Sequence, residues 1–235
     1  MPAFYNRPMT TAIKLAHQNT VEILGTYGGD SEHACSAWTS TSRELTPEKV
    51  ARIPALLKML AENNHHSPFE KSSLHFLATT SIDAHIHILK HRIGVSVNSE
   101  SARYKELKDD KYYVPQDWNN VEVARYVEHM ENSLKAYHEC LGRLVASGMD
   151  RKRAKESARL YLPYGNQLTI DVMFNFRSFA HFLNLRYSKH AQLEIREIAG
   201  EMLKQVASIE GKPFEHTLRA FGFVDENGNI TSPRE

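Results

Sequence analysis

The residues best suited to chemistry lie together in Lys90–Tyr104, KHRIGVSVNSESARY, directly behind an apolar segment. Lys90, His91, Arg92 and Arg103 supply positive charge, and Ser96, Asn98, Ser99 and Ser101 supply short oriented hydrogen-bonding groups. Arginine and lysine match phosphate oxygens in charge, and hydroxyl and amide groups complete such a site. A solvated face with snorkelling basic side chains is the plain alternative. Serines and asparagine reach little into solvent, however, and suit ligand contacts or turn hydrogen bonds better. The run therefore reads as a site for an anionic, phosphorylated ligand.

Three further segments carry reactive side chains. In HHSPFE, His65–Glu70, Pro68 restricts itself and Ser67, so His65 and Ser67 can be presented from a rigid turn. The same residues would also make a simple helix cap beside exposed histidines. In ESARLYLP, Arg159 precedes Pro163, where a cation also suits a helix C-terminus. In Phe174–Arg196, FNFRSFAHFLNLRYSKHAQLEIR, helical spacing brings Arg177, His181 and Asn184 near one face, with Arg186 offset by about half a turn. Phe176, Phe179, Phe182, Leu183 and Leu185 read as packing residues, although a flat cofactor ring could lie against one of them. His85 and His87 have strand-like spacing without a partner pattern, so no metal site is expected.

The 235 residues carry 29 basic and 28 acidic side chains, a formal charge of +1, so no global field gathers nucleic acid. Any cationic site is local. The apolar fraction of 41% can supply a core, and nothing in the composition suggests disorder. Cys35 and Cys140 show neither metal nor redox spacing, which suits a reduced cytoplasmic protein. No run approaches the roughly 20 apolar residues that span a bilayer, so no membrane partner or secretion is expected.

These side chains need elements to position them. Val21–Gly25 reads as a strand, and Thr46-Pro47 starts a helix toward Leu60, kinked or delayed at Pro54. Leu74–Thr80 is a second strand. Ile82–Leu89 fits helix or strand; as a helix it places Ile82, Ile86 and Leu89 on one face and presents the basic cluster at its far end. Val121–Val145 is an amphipathic helix with Val123, Val127, Met130, Leu134, Tyr137, Leu141 and Leu144 at spacings of three and four. Gly148 ends it, and Asp150 caps a helix reaching Arg159. Leu168–Phe174 is a strand, followed by one long helix from Ser178 to about Ala207. Helices before, between and after isolated strands imply an α/β (α+β) single domain over residues 1–235.

Taken in order, HHSPFE, KHRIGVSVNSESARY, ARLYLP and NFRSFAHFLNLR followed by HAQLEIR resemble the flavin-dependent thymidylate synthases, most strongly over residues 63–200. The family pattern is R-H-R, seven residues, then S. Here Lys90 replaces the first arginine, and eight residues separate Arg92 from Ser101. Aligning on S-x-R-Y leaves one extra residue before Asn98. Either Ser99 or Glu100 answers for the family's glutamate, and Glu100 is favoured on chemistry.

The resemblance implies a central, mostly antiparallel sheet with packed helices, and homotetramers whose active sites are shared between subunits. It implies FAD, NADPH as reductant, and transfer of a one-carbon unit from 5,10-methylenetetrahydrofolate to C5 of dUMP, giving dTMP and tetrahydrofolate. No protein cysteine nucleophile is needed. By position, His87, Ser101, Arg103, Arg159 and Arg186 would bind dUMP, with Arg186 and Glu100 catalytic. His65, Ser67, Lys90, His91, Arg92, Asn175, Arg177 and His181 would contact FAD. His87 stands where the family often has glutamine, and His181 where it often has asparagine. The expected location is the cytoplasm, the host's if a virus encodes the chain. A non-catalytic nucleotide-binding module and a helical interaction protein are the competing readings.

Overall fold

The structure is a computed structural model that describes residues 17–101 and 111–235. Within them the chain forms strand β1 (Thr20–Tyr27), helices α1 (Asp30–Ala37) and α2 (Pro47–Glu62), β2 (Ser73–Ser81), α3 (Ile82–Leu89) and β3 (Val95–Ser99). There follow α4 (Asn120–Ala146), α5 (Arg151–Ala158), β4 (Gln167–Phe174), α6 (Phe176–Arg186), α7 (Leu193–Ala207) and α8 (Glu215–Ala220). The strands form an antiparallel sheet in the order β1-β2-β4-β3, so the mixed α+β class expected of the sequence is found.

The chain divides into two compact units. The first comprises the chain up to Thr20, Thr79–Ile86 and Ser99–Ile170, and the second comprises Val21–Ala78, His87–Asn98 and Asp171–Glu235. In the first, α4 buries Val123, Val127, Met130, Leu134, Tyr137 and Leu141, six of the seven positions expected from spacing. Tyr137 and Leu141 pack with Ala154 and Ala158 of α5, and the N-terminal half packs on Tyr112 and Val114. Asn119 caps α4 by accepting from the backbone N–H groups of Val121 and Glu122, both at 3.0 Å. Asp150 caps α5 in the same way, from Lys152 and Arg153.

The second unit has an aromatic core. Phe69, Phe76, Phe174, Phe176, Phe179, Phe182, Phe214 and Phe223 are all fully buried or nearly so. Each such ring removes enough apolar area from water to stabilise the unit by about 2–3 kcal/mol. One polar network crosses this core. His33 is completely buried, with Nδ1 2.9 Å from Thr217 Oγ1 and Nε2 2.8 Å from Ser72 Oγ. Thr217 Oγ1 donates onward to Asp30 Oδ1 at 2.5 Å. Asp30 also accepts from the backbone N–H groups of His216 and Thr217, so the first residue of α1 caps the start of α8. Gly29 permits this approach, since a Cβ there would lie 2.4 Å from the Pro213 carbonyl oxygen.

The structure settles readings the sequence left open and corrects others. Ile82–Leu89 is helical, and its buried residues include Ala84, His85 and Ile88, while Ile86 and Leu89 are about two-fifths exposed. His85 and His87 therefore sit on a helix rather than at alternate strand positions. The helix α2 begins at Pro47 and runs through Pro54 without a delayed start. The long helix expected from Ser178 to Ala207 is two helices, broken between Arg186 and Leu193. Ser188 and Lys189 leave the helical path to pair with Arg234, and Ser188 Oγ accepts from the His190 N–H. Backbone pairing with the distant C-terminal segment replaces the local ladder, and helix periodicity alone cannot reveal that. Leu185, read as a packing residue, is 48% exposed.

Candidate active site

The basic run begins where α3 ends. Lys90–Gly94 is a turn and Val95–Ser99 is β3, a strand the polar residues do not advertise. Gly94 makes the turn possible: its φ is +65°, and a Cβ there would lie 2.3 Å from Asn175 Nδ2 and 2.4 Å from Ser178 Oγ. Around that bare backbone the turn fastens to the start of α6. Asn175 N donates to Gly94 O at 3.1 Å, and Ser178 Oγ donates to Ile93 O at 2.7 Å. Asn175, expected at the flavin, caps α6 by accepting from Ser178 N at 2.8 Å.

At the other end of α6, Arg186 Nε donates to His91 Nε2 at 3.1 Å. The His91 ring is buried edge-on against Phe182, with His181 beside it at 5.8 Å. Burial, followed by the charges of Arg186, His181 and His87, lowers the His91 pKa from 6.5 to about 4. Burial also lowers the Arg186 pKa, but guanidinium stays charged at any working pH. The structure thus joins His91, His181 and Arg186, which lie far apart in the sequence. Half-buried His87 turns its Nε2 toward Gln192 Oε1 at 3.2 Å.

Lys90 and Arg92 are exposed, and among the described residues neither has a carboxylate partner. Surface arginines of α4 such as Arg125 and Arg143 instead pair with glutamates three or four residues away. His65 and Ser67 are exposed, Ser67 opening the short 3-10 turn Ser67–Glu70 with Pro68 and Phe69 buried beneath it. Glu70 at the end of that turn is the residue the sequence reading passed over. It accepts from Arg177 Nη1 at 2.5 Å, tying HHSPFE to the first turn of α6. Its place in the motif was the available signal, since a lone acid beside so many bases invites an ion pair.

In the first unit, Arg159 opens the 3-10 turn Arg159–Tyr161 and is exposed, without a carboxylate partner among the described residues. Ser99 and Glu100 take different tasks. Ser99 Oγ lies 3.1 Å from His85 Nε2. Glu100 N donates to Thr169 O at 2.8 Å, and its carboxylate accepts from Thr169 N at 3.2 Å. Glu100 thus continues the ladder beside β4, with one carboxylate oxygen serving as a backbone acceptor. Ser101 is half-buried. Arg103, expected at the nucleotide phosphate, lies outside the described residues.

Comparison with known proteins gives the family of the chain. Residues 18–210 match the model of the family described as thymidylate synthase complementing protein. A flavin-dependent thymidylate synthase of Clostridium tetani is 33% identical over 187 residues, 75% of this chain and 74% of that protein. One from Streptomyces coelicolor is 30% identical over 219 residues, covering 82% and 87%. Among solved structures, a UMP/dUMP methylase from Streptomyces cacaoi bound with 5-Br dUMP superposes with a TM-score of 0.72 and 29% identity, covering 87% of this chain and 94% of that one. The same methylase bound with 5-Br UMP gives the same TM-score. The chain is therefore an enzyme of the thymidylate synthase complementing protein family, and it is similar over most of its length to curated flavin-dependent thymidylate synthases.

Proposed function

We propose that the protein methylates dUMP at C5 to give dTMP, taking the one-carbon unit from 5,10-methylenetetrahydrofolate and reducing equivalents from NADPH through FAD. The observation that carries this reading is a set of cations left without acidic partners, in a chain of this family. Among the described residues Lys90, Arg92, Arg159 and Arg186 have no carboxylate to neutralise them. An anionic ligand is the chemistry that set favours.

The residues present fit FAD. Lys90 and Arg92 would meet its pyrophosphate, the exposed Ser67 and His65 would offer hydrogen bonds, and Arg177 would be held for it by Glu70. Ile93, 90% exposed at the tip of the turn, is an apolar surface that a flat ring would cover. His91, Asn175 and His181 line the same turn and helix. FAD, when bound, supplies the two-electron reduction that completes the methyl group.

Ser101, Arg103, Arg159 and His87 would hold dUMP, with Arg186 beside the pyrimidine carbonyls. A fixed guanidinium there stabilises negative charge that develops on the ring as C5 becomes nucleophilic. Glu100 would lie at the active site with one carboxylate oxygen fixed by Thr169 N. A homotetramer acting in the cytoplasm, without nucleic acid, completes the reading. Lys90 keeps the charge of the family's arginine but lacks its two-pronged fork, so flavin binding depends more on Arg92 and Arg177.

The test is spectroscopic. Protein loaded with FAD should be yellow, lose its flavin absorbance with NADPH under anaerobic conditions, and regain it when methylenetetrahydrofolate and dUMP are added. UMP in place of dUMP is the control for nucleotide choice. Failure to bind FAD after supplementation would defeat the reading.

A further inference from the structure

Arginines fixed inside proteins are commonly fixed by carboxylates, which grip the guanidinium fork and also cancel its charge. Arg186 is held differently. Its Nε donates to His91 Nε2, and among the described residues no carboxylate pairs with it. A ring nitrogen that accepts must have a free lone pair, so the His91 proton sits on Nδ1 and the ring is neutral. The ring has little freedom. It is 8% exposed, lies edge-on to Phe182 at 5.1 Å, and its backbone N–H donates to Ile88 O at 3.0 Å. The turn that carries it is tied to the start of α6 by Ser178 and Asn175, while Arg186 closes the far end of the same helix.

We propose that His91 is a positioning residue for Arg186: as a neutral Nδ1–H imidazole it aims the guanidinium at the nucleotide while leaving its charge uncancelled. The contribution to turnover rests on the dUMP reading given above, whereas the tautomer and the hydrogen bond do not. A carboxylate in place of His91 would aim Arg186 equally well but would present the ligand with a neutral pair. With Nε2 occupied, His91 has only its Nδ1–H to offer any other group. The charges acting on it are Arg186 and His181 from α6 and His87 from α3, with Lys90 and Arg92 its chain neighbours. Burial, the largest cause, and then the charges of Arg186, His181 and His87 oppose its protonation, so the acceptor persists at neutral pH.

Histidine-selective 15N NMR of the FAD-loaded protein at pH 7 should show His91 as the Nδ1–H tautomer. An Nε2–H tautomer or an imidazolium would overturn the assignment. In steady-state assays His91→Leu should lower kcat by about 100-fold, the cost typical of a misplaced catalytic group. His91→Gln, whose Oε1 can accept from Arg186, should recover most of that loss. His91→Glu should keep the aim but raise KM for dUMP above that of the Gln variant. A Leu variant with wild-type kcat and KM but weakened FAD binding would show that His91 is a flavin contact only, and equal KM values for Gln and Glu would refute the charge argument. Should the Leu variant fold poorly, the NMR tautomer and the Gln–Glu comparison still decide. A wild-type protein that makes no dTMP would defeat the functional reading, and the NMR result would still stand or fall alone.

Discussion

At the scale of single residues, the side chains proposed for the site fall into two kinds. Lys90, Arg92 and Arg159 are exposed and unpaired among the described residues, while Arg177 and Arg186 are already held by Glu70 and His91. In the proposed site held arginines would serve orientation, and their loss should show in function more than in stability. Arg186→Ala is expected to lower turnover by about 100- to 1000-fold, the range for one removed charge-stabilising donor, with circular dichroism unchanged. Turnover near the wild-type rate would remove Arg186 from the chemistry. Arg177→Ala should weaken FAD binding by about ten- to a hundredfold in a fluorescence titration, as for a lost hydrogen bond to a charged group. Glu70→Gln, which frees Arg177 without removing it, should weaken binding less. Equal losses in the two variants would make the ion pair, rather than the arginine, the binding element. These positively charged residues were legible in the sequence because their motifs are local. The pairing of His91 with Arg186 was not, because 95 residues separate the partners and only the packing of α6 on the turn brings them together.

At the scale of elements, the turn Lys90–Gly94 depends on one glycine. Gly94→Ala would force a β-carbon into Asn175 and Ser178 and hold a non-glycine residue at φ +65°. The expected cost is about 1–3 kcal/mol in a urea titration, accompanied by weaker FAD binding, because the turn and the cap of α6 are one structure. Unchanged stability would mean that the turn can shift away from α6. Caps and amphipathic stripes were readable in advance: Thr46, Asp150 and the buried face of α4 stand where spacing and side-chain chemistry put them. Two elements were not. The polarity of Val95–Ser99 hides a strand whose side chains are mostly exposed, since sheet pairing rather than alternation defines it. The break after Arg186 depends on pairing with the C-terminal segment, a contact no local pattern encodes.

At the scale of the whole molecule, acid should loosen the second unit. His33 titrates near 3 and His91 near 4 in the fold, against an ordinary value of 6.5, chiefly because both are buried. A depressed histidine means the unfolded chain binds protons first, so stability is complete above about pH 6.5 and falls as pH drops toward 4 and then 3. Burial raises the Asp30 carboxyl, and a raised acid acts in the opposite sense, its contribution present at low pH and lost as pH rises through its folded value. The observed slope is the sum. Urea midpoints should therefore decline between pH 6.5 and 4.5, and His33→Asn should flatten that decline. A midpoint independent of pH over this window in both the wild type and His33→Asn would contradict the buried neutral state of His33. The most direct measurement of the central claim is dTMP formation by the FAD-loaded protein, followed by chromatography while each component is withheld in turn. The account predicts dTMP only when FAD, NADPH, methylenetetrahydrofolate and dUMP are all present. Full FAD occupancy with no dTMP, or dTMP formed without flavin, would contradict it.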